Sequence, residues 1–398
     1  MIHKYSCKNF YSIEDKIEVR FDVNQNAPFS DAYVDHPHGR LSLVAAIIGP
    51  NAAGKTNVIK ALAFIRHLIT EPPSDDSLPF EAFAGGDKKA TEFSVEFSVD
   101  SRYFIYDFKL NTEQILSESI REKSLSAQRK TSKVLFHRQW DAAKNDYLVN
   151  SKEFKLPSGV YVRKGSSVIA SLELAGDSGH IATKIFKYWE DSVIANLNED
   201  GNRDDVHYHI DEMAEVAIES FYEDKENMKI DAMDILRKLD VGFHDFERQK
   251  LHIKDSFHYS IRHRLGKDRK FSIPIEHESS GTKKAILMLM YILQALKRPG
   301  GIAAIDELDA YLHPDIVEAL VKIFVSPETN PNRAQLLFSS HSHQLLAEFD
   351  KQQIVLVEKN DEGATDVWRL DDVSGIRVDD NYYAKYIAGA YAAKPKIG

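Results

Sequence analysis

Six apolar residues, Leu43-Val44-Ala45-Ala46-Ile47-Ile48, run directly into Gly49-Pro50-Asn51-Ala52-Ala53-Gly54-Lys55-Thr56, and this junction constrains the chain more than any other. An uninterrupted apolar run of that length reads as a strand covered on both faces. Beyond the glycines, Val58, Leu62, Ile65 and Ile69 recur at intervals of four, three and four. They form one face of an amphipathic helix that ends before Pro72-Pro73. Strand, glycine loop and helix in this order, with Gly, four residues and then Gly-Lys-Thr, predict a phosphate-binding loop. Gly49 and Gly54 permit backbone conformations that side chains obstruct. The turn then points successive N–H groups, Asn57 included, at phosphate oxygens, and the helix N-terminus adds a favourable field. Lys55 is expected to neutralise the β- and γ-phosphates, and the Thr56 hydroxyl to ligate Mg²⁺.

A triphosphate site of this kind needs a carboxylate on a neighbouring strand. Ile302-Ala303-Ala304-Ile305 ends in Asp306-Glu307, four apolar residues and then two acids. Asp306 is expected to hold Mg²⁺ and Glu307 to polarise the attacking water. Two further segments follow the same axis. Glu278-Ser279-Ser280-Gly281-Thr282-Lys283 precedes an apolar helix, with Ser279 lying 27 residues before Asp306. Ser339-Ser340-His341 ends the next strand, His341 lying 35 residues after Asp306.

The chain has 398 residues, 43% of them hydrophobic and 28% charged, enough for one large domain or two medium ones. A net charge of −10 argues against coating nucleic acid over the whole surface but leaves room for a local basic groove. Cys7 is the only cysteine, which excludes a disulfide framework and fits a reducing compartment. No signal peptide is visible, and Ala285–Leu293 is about half the length that crosses a bilayer. A cytoplasmic protein with no membrane partner is the expectation.

Three regions are expected. Residues 1–150 read as the first part of a nucleotide-binding head, with short strands to residue 23, a polar loop over Asn24–Arg40, and a hairpin. That hairpin pairs Phe93–Phe97 with Tyr103–Phe108 across Asp100-Ser101, with Val134-Leu135-Phe136 as a third strand. Residues 151–255 read as a compact helical insertion, with helices over Ile181–Asn198, Glu212–Phe221 and Ala232–Leu239 and no sustained heptad. Residues 256–398 complete the head and close with a hairpin of Ile354–Val357 against Val367–Leu370.

The order of these motifs resembles the ABC-like P-loop ATPases grouped with OLD and RecF proteins, in particular the stand-alone ATPase subunits of bacterial abortive-infection pairs. The resemblance is carried by Lys8-Asn9-Phe10-Tyr11-Ser12, the phosphate loop, the Ser279 segment, Asp306 through Pro314, Ala334 through His341, Val357-Glu358-Lys359 and Tyr386-Ile387-Ala388-Gly389. It implies an α/β fold: an ABC-type head with a mixed central sheet, flanking helices and an antiparallel β subdomain. It also implies an ATPase using ATP and Mg²⁺ that forms a homodimer or higher oligomer around ATP. Ser279 and Gly281 then act as a signature loop on the partner's ATP, and His341 as the switch histidine that senses the γ-phosphate. His313 stands where relatives carry an aspartate, and Ala390 and Ala392 where they tend to carry Arg and Gly. The resemblance further implies a separate effector, such as a Toprim-like nuclease or another toxin, since only 57 residues follow His341. The alternative within the same group is a RecF-type repair ATPase that binds DNA directly. A small-molecule kinase accounts for neither the Ser279 segment nor His341.

Other constellations weigh less. His207-Tyr208-His209 with Asp211 and Glu212, and His36-Pro37-His38, are candidate metal ligands. Arg121, Lys123, Arg129, Lys130, Lys133 and Arg138 form one basic stretch, and Lys250–Lys270 contains another; either is a candidate nucleic-acid or effector face. Gln114 is the candidate Q-loop glutamine.

Overall fold

The computed structural model describes the chain except for residues 73–76, 87–88, 124–130, 152–153, 155, 157–161, 175–180, 197–205, 224–227, 239–242, 251–256, 266–268, 311 and 392–398, and the side chains of 85, 206–211 and 238. A six-stranded sheet forms its centre. The strand order is Val193–Ala195, Ile302–Ile305, Gln335–Ser340, Val44–Ile48, Ile354–Lys359 and Thr365–Arg369. The first five strands run parallel and the last turns back antiparallel.

The continuous apolar runs have the expected physical cause. Ala45, Ile47, Ala304, Leu337, Val355 and Val357 face one hydrophobic core. Their neighbours Val44, Ala46, Ile48, Ala303, Ile305, Leu336, Phe338 and Leu356 face the other. Both faces are covered, so alternation is lost. Helix Lys55–Thr70 covers the first face together with Val168–Leu174 and Ile181–Ser192. The apolar helix Ser280–Leu296 covers the second, flanked by Val206–Glu223 and Met228–Lys238, with Pro314–Val325 beside it. The helices of the 151–255 stretch are thus divided between two cores.

A seven-stranded antiparallel sheet closes the first core. Its order is Asp146–Asn150, Ser132–Asp141, Ile115–Lys123, Arg102–Leu110, Thr91–Val99, Ile2–Lys8 and Ile17–Arg20. The hairpin across Asp100-Ser101 forms as expected; both turn residues have positive φ, 50° and 63°, which suits the twist of a two-residue hairpin. The strand containing Val134–Phe136 joins the sheet, but an unforeseen strand, Ile115–Lys123, lies between it and the hairpin. That strand hides in the sequence because Glu118 points inward among apolar residues. Its carboxylate accepts from Tyr106 Oη and Val168 N and lies beside the fully buried Arg138. Gln335 ties the two sheets together: its amide accepts from Ile2 N at 2.8 Å and donates to Ile2 O at 2.9 Å.

Two local expectations are corrected. The helix starting at Ile181 stops at Ser192, and β-branched Val193 and Ile194 pair beside the acidic strand as an edge strand instead. The polar Asn24–Arg40 loop contains Tyr33–His36 and the start of Gly39–Ser42, which form a small sheet with Asp22–Val23. Phe243–Lys250, Phe257–Leu265 and Arg269–Pro274 form a further antiparallel sheet leading into Ser279. The closing hairpin pairs Leu356 with Trp368 and Val357 with Val367, as expected.

Candidate nucleotide site at the strand ends

The loop at Gly49–Thr56, the acids at Asp306-Glu307 and His341 all leave the same edge of the central sheet. Their strands are adjacent and parallel, and the crevice outside the carboxyl ends of such strands is where open α/β sheets bind ligands. Two glycines fix the loop. A Cβ on Gly49 would lie 2.2 Å from the Val357 carbonyl oxygen. Gly54 has φ 107°, and a Cβ there would lie 2.2 Å from Thr365 Oγ1. Ala52 also takes positive φ, 60°.

Lys55 opens the helix but folds back across the loop mouth. Its ammonium donates to Gly49 O and Pro50 O, each at 2.9 Å, and lies 3.0 Å from His341 Nδ1. Burial lowers the Lys55 ammonium to about 8, against the pull of Asp306, Glu307 and Asp309. Thr56 is half-buried at the helix start. Asn57 donates to Ser12 Oγ at 2.7 Å, and Thr365 Oγ1, 2.8 Å from Ser12 Oγ, donates to Ala53 O at 2.9 Å. The Lys8–Ser12 segment and the closing hairpin therefore clamp the loop from behind.

The acidic pair is braced by residues to which the sequence reading gave no role. Ser339 Oγ donates to Asp306 Oδ1 and accepts from Glu307 N at 2.8 Å. Asn196, just beyond the edge strand, accepts from Asp306 N at 2.7 Å. Glu307 has φ 51°, its side chain is 54% exposed, and Oε1 lies 3.7 Å from His341 Nε2. Asp309 Oδ2 accepts from His341 N at 3.1 Å and Ser342 N at 3.0 Å. Half-buried Lys284, one turn into the helix after Ser279, feels the field of Glu307, Asp306 and Asp309, although burial lowers its ammonium overall. These partners join segments far apart in sequence, so only the fold reveals them. An open cleft of about 760 Å³, lined by Gly49, Pro50, Asn51, Ala53, His341 and Lys359, adjoins the loop.

Ser279 stands apart from this cluster in its bonding: its hydroxyl caps helix Ser280–Leu296 by accepting from Thr282 N at 3.1 Å. Ser279 and Ser280 are exposed and Gly281 is partly so. His313 caps the helix Pro314–Val325, accepting from Asp315 N at 3.3 Å. Gln114 sits in the turn joining Arg102–Leu110 to Ile115–Lys123, its N–H held by Asn111 Oδ1.

No group of three or more His, Cys, Asp or Glu among the described residues is arranged to hold a metal ion. His36 and His38 instead stack with ring centroids 5.4 Å apart, packed near His3 and Tyr103. The His207–Asp211 side chains lie outside the described residues; Glu212 is exposed. Of the first basic stretch, Arg138 is buried against Glu118 and Arg121 pairs with Asp107 at 2.6 Å, while Arg129 and Lys130 lie outside the described residues. The donor types at the loop, the Thr56 hydroxyl and the Asp306 carboxylate, fit Mg²⁺, which takes few protein ligands and the rest from phosphate and water. No described helix is long and apolar enough to cross a membrane.

A sequence model of the family described as "AAA domain, putative AbiEii toxin, Type IV TA system" matches residues 44–347. No curated protein matches the chain. Among solved structures, an SMC head bound to the C-winged helix domain of ScpA is similar at 16% identity, covering 93% of this chain and 99% of that one, with a TM-score of 0.49. The SMC head domain from Thermotoga maritima gives 15% identity, coverage of 92% and 98%, and a TM-score of 0.42. An SMC head with an extended coiled coil, bound to the C-terminal domain of ScpA derived from Pyrococcus furiosus, gives 15%, 93% and 97%, and 0.47.

Proposed function

The chain belongs to this AAA-domain family of P-loop ATPases, and from that premise we propose that it is a nucleotide-driven switch. ATP binding closes two copies around the nucleotide, and the closed state controls a separate effector protein, a Toprim-like nuclease or another toxin, in antiviral defence. The observation that supports the nucleotide chemistry is the convergence of Lys55, Asp306, Glu307 and His341 on one glycine loop, and the effector rests on the family match.

Each group has a chemical task there. Lys55 exchanges the Gly49 and Pro50 carbonyls for phosphate oxygens, which repay the burial that lowers its basicity. Backbone N–H groups of the Gly49–Thr56 loop at the helix N-terminus cradle the phosphates, while the N–H of Asn57 donates to Gly54 O at 3.0 Å and holds the first turn behind them. Thr56 and Asp306 would hold Mg²⁺, which would supply neutralisation of the phosphate charge. Glu307 is exposed enough for water to reach its carboxylate, and it orients that water for attack. His341, between Lys55 and Glu307, contacts the γ-phosphate and registers its loss. Ser279 and Gly281 expose the N-terminus of Ser280–Leu296, a surface suited to a phosphate held by a second copy.

Lys55→Ala is expected to abolish ATP binding. Glu307→Gln should keep binding while turnover falls about 100-fold or more, the scale of a lost general base. A Glu307→Gln protein that hydrolyses ATP at the normal rate would overturn the assignment.

A further inference from the structure

Asp309 lies three residues beyond Asp306, outside the acidic pair that faces the loop. Its carboxylate is turned toward the neighbouring strand end. One oxygen, Oδ2, accepts both His341 N and Ser342 N, so a single anion holds two successive backbone N–H groups at the point where the chain leaves strand Gln335–Ser340. Such a paired arrangement fixes a turn more firmly than either bond alone, and the charge on the acceptor strengthens both. The other oxygen, Oδ1, is buried and has no hydrogen-bond partner. The residue therefore gives its whole directional bonding to the backbone under His341.

The bracing runs in both directions. Ser339, on the strand that leads to His341, holds the backbone of Glu307 and the carboxylate of Asp306. Asp309, on the segment that follows Glu307, holds the backbone of His341. Ala310 N also donates to Glu307 O at 3.0 Å, which closes the turn between the two acids and sets the direction of Asp309. The His341 ring then reaches Lys55 with Nδ1 and Glu307 with Nε2. That reach depends on the backbone direction at His341, because the ring is 38% exposed and has solvent to turn into.

We propose that Asp309 is a positioning residue for His341: by clamping two N–H groups it aims the imidazole between Lys55 and Glu307, and hydrolysis depends on it through that histidine. This rests on the reading of His341 as the γ-phosphate contact. It assigns Asp309 no contact with nucleotide.

Five proteins test it: the parent, Asp309→Ala, Asp309→Asn, His341→Ala and the double variant of the two alanine changes, each assayed for kcat and KM with Mg²⁺-ATP and checked by thermal melting. Asp309→Ala should lower kcat about 10- to 100-fold with KM unchanged within about twofold, the pattern of a group acting only in turnover. The double variant should be no slower than His341→Ala, since a residue acting through another adds nothing once that other is gone. Asp309→Asn keeps an acceptor oxygen for the two N–H groups and should stay within about threefold of the parent, which also keeps the test usable if Asp309→Ala does not fold. Normal kcat in Asp309→Ala, or Asp309→Asn as slow as His341→Ala, overturns the proposal, as does a double variant slowed by the product of the single effects. Normal kcat in His341→Ala instead removes the reading of the histidine itself, and slow Asp309→Ala in that case shows the carboxylate acting by another route.

Discussion

Replacing Ser339 by Ala removes one hydroxyl that serves two groups. In the folded protein Ser339 is fully buried; its Oγ donates to Asp306 Oδ1 and accepts from Glu307 N. Hydrogen bonds to charged groups contribute about 1.5–3 kcal/mol, and leaving a buried N–H without an acceptor costs about 1–3 kcal/mol. Water reaching the half-exposed acids recovers part of this, so about 2–3 kcal/mol is the expected loss. Where it falls decides the outcome. The phosphate loop, Lys55 and the Ser12–Thr365 clamp are untouched, so ATP affinity should stay within about threefold. Glu307 loses the bond that fixes its backbone beside Asp306, so turnover should drop about 10- to 100-fold, since about 1.4 kcal/mol of barrier is a factor of ten. Phosphate release under saturating Mg²⁺-ATP measures turnover, and titration with a fluorescent nucleotide measures affinity. A protein that melts several degrees lower yet turns over normally would exclude a part in turnover, because the hydroxyl would then support the fold alone.

Two further predictions concern the loop and the buried imidazoles. Gly54→Ala places a Cβ 2.2 Å from Thr365 Oγ1 at φ 107°, so nucleotide binding should fall at least about 100-fold; titration at near-normal affinity would show that the loop can be rebuilt. Burial lowers His3 to about 2 and His36 to about 4, so the unfolded chain binds more protons below about pH 6.5. Stability carried by these neutral rings is present above that pH and is lost as pH falls from 6.5 toward 4, by up to about 1.4 kcal/mol per pH unit for buried His3 and by less for half-buried His36, which solvent screens. Urea unfolding at pH 7 and pH 5 should show a loss of about 1–2 kcal/mol from His3, with a smaller, solvent-screened share from half-buried His36, and the loss should shrink in His3→Gln; an equal loss in that variant would contradict the assignment.

Legibility in the sequence followed the range of the physics. Local patterns were readable: the apolar strand before Gly49, the hairpin with Asp100-Ser101 at its turn, and the apolar helix capped by Ser279 depend on neighbours in the chain. Strand Ile115–Lys123 was not readable, because Glu118 faces inward and is stable there only through Arg138, Tyr106 and Val168. Strand Val193–Ala195 looked helical because its three residues gain their partners only from the acidic strand. At the site, the residues proposed to meet phosphate announce themselves by spacing, whereas Ser12, Ser339 and Asp309, though inside segments that carry the resemblance, and Asn196 and Thr365, outside them, act by holding those residues. A holding residue has no spacing rule, since its partner lies wherever the fold brings it.

As proposed above, the loop, the acids and His341 make half of a composite site completed by Ser279 and Gly281 of a second copy. Light scattering on Glu307→Gln, which should bind ATP without consuming it, tests this most directly. With Mg²⁺-ATP the mass should double from 45.2 kDa, return to that value without nucleotide, and stay there when Ser279→Arg is added. An unchanged mass under saturating ATP, or doubling that survives Ser279→Arg, would rule out a site shared between two copies through Ser279.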